Sequence, residues 1–169
     1  MTVVIREARP DDAAQLIAYL RRVFAEPGVN LITEVDEFNP TTESEARIIN
    51  DMARATNSLF LVAESGGRIV GQLTLDGGKR RNVRHAAILG ITVDQEWRGQ
   101  GVGRRLMEYA IEWAREGAIL TRIELHVFAR NVNAVRLYES CGFEHEGHRR
   151  RAVRRDGTYL DDLVMSLLL

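Results

Sequence analysis

Between residues 91 and 104 the chain reads Ile91-Thr92-Val93-Asp94-Gln95-Glu96-Trp97-Arg98-Gly99-Gln100-Gly101-Val102-Gly103-Arg104. An apolar strand ends, a glycine-rich turn follows, and an amphipathic helix begins. Glycine lets a backbone come close to a ligand and take dihedrals that other residues avoid. The first amides of a helix have no partner within it, and the helix dipole favours negative charge there. Together these features make a cradle for a pyrophosphate, built from main-chain donors. A Walker A loop is excluded, because Gly103 is followed by Arg104-Arg105 where Lys-Ser/Thr is required. The dinucleotide fingerprint is excluded too. Gly99-x-Gly101-x-Gly103 has the wrong spacing for it and follows three strands that read as antiparallel.

A second group of residues able to do chemistry lies downstream. His126 stands on an alternating strand with Glu124, opposite Ile123, Leu125 and Val127. A histidine titrates near neutral pH and suits a general base; on a half-buried strand it is equally an ordinary polar residue. Asn131 caps a short helix that Gly142 ends. Tyr138 shares a face of that helix with Ala134 and Cys141, the spacing of a core aromatic as much as of a proton donor. His85, His126, His145 and His148 show no metal-ligand spacing, so no metal is expected.

The elements that must position these groups follow from periodicity and turn chemistry. Thr2 to Ala8 reads as a strand, and Ala13, Leu16, Ile17, Leu20 and Phe24 mark a helix with Asp11 as its N-cap. Pro27-Gly28 stops it, and residues 29–40 form a loop carrying Glu34, Asp36 and Glu37. Thr42 and Glu45 form a capping-box pattern for a second helix to about Thr56. Strands Leu59–Glu64 and Arg68–Asp76 flank Ser65-Gly66-Gly67, and Ala86–Val93 is a third. Helix 101–116, strand 119–128 and the helix capped by Asn131 come next. Two final strands, 143–154 and 159–168, meet at Asp156-Gly157. The order βααβββαβαββ predicts an α/β fold with a mixed, mostly antiparallel central sheet flanked by helices.

Composition narrows the field. At 169 residues, residues 1–169 make one domain. The chain is 45% hydrophobic and 28% charged, which excludes a disordered or collagen-like chain. A net charge of −1 disfavours nucleic acid as the main partner, and the single Cys141 makes no internal disulfide. No apolar run approaches the roughly 20 residues of a membrane helix. The first ten residues lack a signal-peptide core, so a cytoplasmic location without membrane partners is expected. Exposed sheet edges suggest a homodimer.

Arg98-x-x-Gly101-x-Gly103 resembles the R/Q-x-x-G-x-G/A acyl-CoA loop of the GNAT (GCN5-related N-acetyltransferase) superfamily. Asn131-Val132-Asn133-Ala134-Val135-Arg136-Leu137-Tyr138-Glu139-Ser140-Cys141-Gly142-Phe143 is similar to that superfamily's N-x-x-A-x-x-L-Y-x-x-x-G-F segment, and the element order agrees along the whole chain. The resemblance implies an acetyl-CoA-dependent N-acetyltransferase in which a bound amine attacks the thioester directly. The pantetheine arm would pair with the backbone of Ile91, Thr92 and Val93. Arg98, Gly99, Gln100, Gly101, Val102, Gly103 and Arg104 would hold the pyrophosphate, mainly by main-chain amides. Asn131 matches a CoA-contacting position, and Tyr138 the tyrosine that protonates the departing thiolate. His126 lies five residues before Asn131, where some N-terminal acetyltransferases of this superfamily carry a glutamate base.

Glu34 and Glu37 lie where the superfamily's substrate-binding helices join and could attract an ammonium group. The arginines of the last hairpin, Arg149, Arg150, Arg151, Arg154 and Arg155, could bind a carboxylate or lie at a dimer contact. The expected acceptor is therefore a small primary amine such as an amino acid or its analogue. A protein N-terminal α-amine as acceptor, which needs an open groove, and a non-catalytic acyl-CoA-binding module remain the alternatives.

Overall fold

Apolar alternation or continuous apolar runs mark most of the strands, and glycine-containing turns set how several of them meet. In the computed structural model, which describes residues 2–169, the strands are β1 (Val4–Glu7), β2 (Leu59–Ser65), β3 (Arg68–Gly77), β4 (Ala86–Val93), β5 (Arg122–Phe128), β6 (Glu144–Arg155) and β7 (Thr158–Leu168). The helices are α1 (Ala13–Phe24), α2 (Thr42–Arg54), α3 (Val102–Gly117) and α4 (Val132–Ser140). One sheet runs in the order β1-β2-β3-β4-β5-β7-β6. Only β4 and β5 pair in parallel. This is the mixed, mostly antiparallel α/β sheet that the element order predicts.

Both hairpin turns use left-handed residues, which match the right-handed strand twist. Gly66 and Gly67 have φ of 57° and 77°, and Asp156 and Gly157 have 48° and 77°. Some boundaries differ from the sequence reading. Asp11 does not cap α1; a 3-10 turn, Pro10–Asp12, precedes the helix, and the Asp12 carboxylate accepts from Arg9 N and the Arg6 guanidinium. The capping box of α2 lies one residue earlier than Thr42. The Thr41 hydroxyl accepts from Ser44 N, and Ser44 Oγ accepts from Thr41 N. Glu45 turns inward instead, and burial pushes its carboxyl up. Strand β5 starts at Arg122, where its pairing with β4 begins; just before it, Thr121 N donates to the His85 carbonyl at the foot of β4.

The sheet separates two apolar layers. Leu61, Leu73, Leu75, Ile123 and Leu125 on one face pack under α3 and α4. Phe60 and Val62 on the other face pack under α1 and α2 with Tyr19 and Ile49. The open edges are β1, four residues long, and β6, which is interrupted by two register shifts and lined with exposed arginines. Short, irregular, charged edges oppose edge-to-edge pairing, the route that exposed edges suggest for a homodimer.

Candidate active site

The site begins where strand pairing fails. β4 and β5 pair only at Ala86–Arg122, Ala87–Ile123 and Ile88–Glu124. Beyond that point each strand is held from its far side alone. β3 follows β4 as far as Val93, and β7 follows β5 as far as Phe128. The two strands therefore diverge, leaving a wedge whose β4 wall is the backbone of Leu89 to Val93. Unpaired main-chain groups along such a wall can take one extended ligand as though it were a strand.

The glycine-rich turn lies at the mouth of the wedge. A 3-10 turn, Gln95–Trp97, is capped by the Asp94 carboxylate and leads into Gly99 and Gly101, with φ of 73° and 82°. Gly101 is the N-cap of α3. A Cβ added at Gly99 or Gly101 would meet nothing within 4 Å, so the protein leaves the concave side of this turn open. The first intrahelical bond runs from Arg105 N to the Gly101 carbonyl, so the amides of Val102, Gly103 and Arg104 have no helical acceptor. Gly103 serves another purpose. A Cβ there would lie 3.2 Å from Leu137 Cδ2, so its absence lets α3 lie close against α4. Open space plus aligned amides fits a pyrophosphate.

The arginines of the turn are engaged within the protein. Arg98 donates from Nε to the Val93 carbonyl at 2.8 Å and from Nη2 to Glu26 Oε2 at 2.5 Å. Arg104 donates to Ser140 Oγ, and Arg105 to the Val3 carbonyl. Gln100 donates to the Glu96 carbonyl. Asn131 caps α4 by accepting from Ala134 N, while its own amide donates to the Phe128 carbonyl and turns the chain at the end of β5.

Two further candidates lie on opposite faces of the sheet. Tyr138 belongs to the α3–α4 layer, is 7% exposed, and packs near Phe143. Burial pushes its phenol up to about 12. His126 projects from the other face, the one that carries Thr92. Its Nε2 lies 3.2 Å from Glu124 Oε1 and its Nδ1 3.5 Å from Asp162 Oδ2. The Arg122 guanidinium holds the Glu124 carboxyl below its ordinary value, and Arg149 donates to the buried Asp162. The two faces of the sheet thus carry an imidazole flanked by two carboxylates on one side and a buried phenol on the other.

Loop 29–40 does not present Glu34 and Glu37 as free carboxylates. Glu37 accepts from the backbone amide of Glu34, and Glu34 accepts from Arg155 Nε. Arg155 also donates to the Val29 carbonyl, and Arg130 donates to Asn30 Oδ1. The loop is thereby tied to the end of β5 and to the tip of the β6–β7 hairpin. Residues that the motifs did not point to are Tyr19, Glu26 and Asp162. Tyr19 Oη lies 2.9 Å from Thr92 Oγ1, and burial raises its phenol far above the usual value. Its spacing with Arg22 and Glu26, a stripe of one helix face, was the available signal. Among the described residues no group of three or more His, Cys, Asp or Glu could hold a metal ion, and no helix is long and apolar enough to cross a membrane.

Comparison with known proteins agrees with this geometry. Residues 13–143 match the Acetyltransferase (GNAT) family. The chain is 40% identical over 106 residues to the L-amino acid N-acetyltransferase AaaT of Escherichia coli, covering 63% of this chain and 65% of that protein. It is 35% identical over 98 residues to the N-alpha-acetyltransferase RimI of Mycobacterium tuberculosis, covering 58% of this chain and 60% of that one. The matched stretch thus spans less than two thirds of either relative. A crystal structure of an acetyltransferase of the GNAT family from Streptococcus pneumoniae superposes with a TM-score of 0.96 at 36% identity, covering 99% of this chain and 100% of that one.

Proposed function

The chain belongs to the Acetyltransferase (GNAT) family, and on that premise we propose that it transfers an acetyl group from acetyl-CoA to the primary amine of a small molecule, an amino acid or its analogue. The observation that supports the acceptor class is the pinning of loop 29–40, which in this reading lies over the acceptor side of the wedge. A peptide N-terminus needs an open groove, whereas here residues 29–34 are tied to β5 and to the last hairpin by Arg130 and Arg155. The name of the Escherichia coli relative supports the same reading. The name of the Mycobacterium tuberculosis relative supports a protein α-amine as the second reading.

In this reading acetyl-CoA supplies the activated acyl group, and the protein binds, orients and moves protons. The amides of Gly99 to Arg104 hold the pyrophosphate. The Leu89–Val93 wall, with Ile91, Thr92 and Val93 at its mouth, pairs with the pantetheine arm. A main-chain N–H of that wall also donates to the thioester carbonyl, where negative charge develops. The acceptor enters over the Thr92 face. His126 takes the proton of the amine, the new C–N bond forms as the C–S bond breaks, and the Tyr138 hydroxyl faces the departing sulfur.

The direct test is release of CoA thiol from acetyl-CoA over a panel of amino acids, polyamines, aminoglycosides and N-terminal peptides. An amino-acid-dependent signal is the expected result. A signal with peptides alone would transfer the assignment to the second reading, and calorimetric CoA binding without turnover across the panel would favour a non-catalytic binding module.

His126→Gln should remove the acid limb of the rate profile. A general base works only unprotonated, so losing the base removes the fall in turnover toward low pH. Glu124 on its own strand, Asp162 on β7, and the neighbouring Arg122 and Arg149 are the charged groups around it. An unaltered acid limb in the variant would assign the base to another group.

A further inference from the structure

Along one face of α1 and its C-terminal extension, Tyr19, Arg22 and Glu26 recur at i, i+3 and i+7. All three reach the single segment 92–98. Tyr19 Oη meets Thr92 Oγ1 at 2.9 Å, Arg22 lies 3.7 Å from the Asp94 carboxylate, and Glu26 takes the Arg98 guanidinium at 2.5 Å. The same guanidinium holds the Val93 carbonyl, the last of β4 before the turn. We propose that Glu26 is a positioning residue for the acyl-CoA cradle, acting through Arg98 on the Val93 carbonyl. The inference rests on acetyl-CoA being the donor.

Three observations carry it. The Arg98 side chain bonds backward to the strand and to α1, so its charge is matched within the protein by Glu26. The Glu26 side chain is only 13% exposed, against 47% for Arg98. That carboxylate is largely withdrawn from water, and the Arg98 guanidinium is the cation that pairs with it. Finally, Arg98 ties the Val93 carbonyl to Glu26 at the point where the strand ends. The rest of the turn is braced separately, by Gln100 donating to the Glu96 carbonyl and by Asp94, which accepts from Glu96 N and Arg68, while Gly99 and Gly101 meet nothing where a Cβ would be. The Val93 carbonyl is thus where α1 sets the angle at which β4 delivers its chain into the cradle.

Unlike a direct phosphate ligand, a positioning pair shows non-additivity. Calorimetric CoA binding is measured for the wild type, Glu26→Gln, Glu26→Asp, Arg98→Gln and the Glu26→Gln/Arg98→Gln double variant. Glu26→Gln is near-isosteric and should raise the Kd for CoA by about five- to tenfold, the scale of one charge-assisted hydrogen bond. Its kcat at saturating acetyl-CoA should stay within about twofold of wild type, because the lost interaction serves ground state and transition state alike. Glu26→Asp should recover part of the affinity. The double variant should bind no more weakly than Arg98→Gln alone, since the unpaired carboxylate is gone.

A Glu26→Gln Kd equal to that of wild type, or losses that add in the double variant, would overturn the proposal and make Arg98 an independent contributor. If the wild type itself binds no CoA, the donor assignment fails instead, and that outcome is distinct from a loss confined to the variants.

Discussion

Tyr138→Phe should lower kcat by about 10²-fold, the low end of the range for general acids. Two features set that size. Burial pushes the phenol up to about 12, whereas a reference thiol titrates near 8.5. Complete proton transfer from so weak an acid to a thiolate is uphill, so in the proposed reaction the hydroxyl would act chiefly by hydrogen-bonding the sulfur as charge develops on it.

The KM for acetyl-CoA should change by no more than about twofold, because the interaction is made only as the C–S bond breaks. A protonation state with its midpoint at about 12 also gives no alkaline limb near pH 9 to 10; the acid form is the working form and persists through that window. Steady-state kinetics of the variant between pH 7 and 10 check both points. A loss below about fivefold would leave Tyr138 as a core aromatic of α4, as its burial alone would suggest.

The second large effect is on stability. Leu106 is fully buried on the face of α3 turned to the sheet, with its Cδ1 3.3 Å from where a Cβ on Gly71 would stand. Leu106→Ala should cost about 3 kcal/mol, within the range for a buried leucine whose surroundings relax only in part. For a chain of this length that corresponds to a Tm lower by about 10 °C. Urea titration should show a lower midpoint at unchanged slope, the mark of lost native stability rather than an altered unfolded state. Because α3 carries the cradle at its first turn, CoA should still raise the Tm of the variant. If it does not, the lost packing has also displaced the turn.

Much of the fold could be read from the chain because the relevant forces are local. Gly66-Gly67 and Asp156-Gly157 specify tight turns by their own backbone freedom, and Ile123, Leu125 and Val127 specify a strand by alternation. Where two local solutions compete, the prediction slips by a residue. Thr41 outcompetes Thr42 as the cap of α2 because Ser44, three residues on, answers it with a reciprocal bond, while Glu45 is buried and unavailable for the capping box. The three glycines of the turn look equivalent in the sequence yet serve different ends. Gly99 and Gly101 supply positive φ, and Gly103 supplies contact with Leu137.

Loop 29–40 shows the limit more sharply. Its carboxylates read as a lure for an ammonium group, but Glu34 and Glu37 are engaged by Arg155 and by the loop's own backbone. Arg155 stands 121 residues from Glu34, and no periodicity spans that separation.

The strand–glycine turn–helix segment, the Asn131 cap, the two hairpins and the order of elements are properties of neighbouring residues, since backbone preference and hydrogen bonding act within a few positions of one another. The wedge is not of that kind. It exists because β4 and β5 separate after Ile88 and Glu124 while β3 and β7 keep hold of their outer sides. That divergence depends on how a whole twisted sheet packs against four helices. The same is true of Tyr138 and His126 lying on opposite faces, and of Glu26 reaching Arg98 across 72 residues. The chain alone carries the chemical groups and their local geometry; tertiary packing decides which of them meet, because long-range register and charge pairing are set only when every layer closes together.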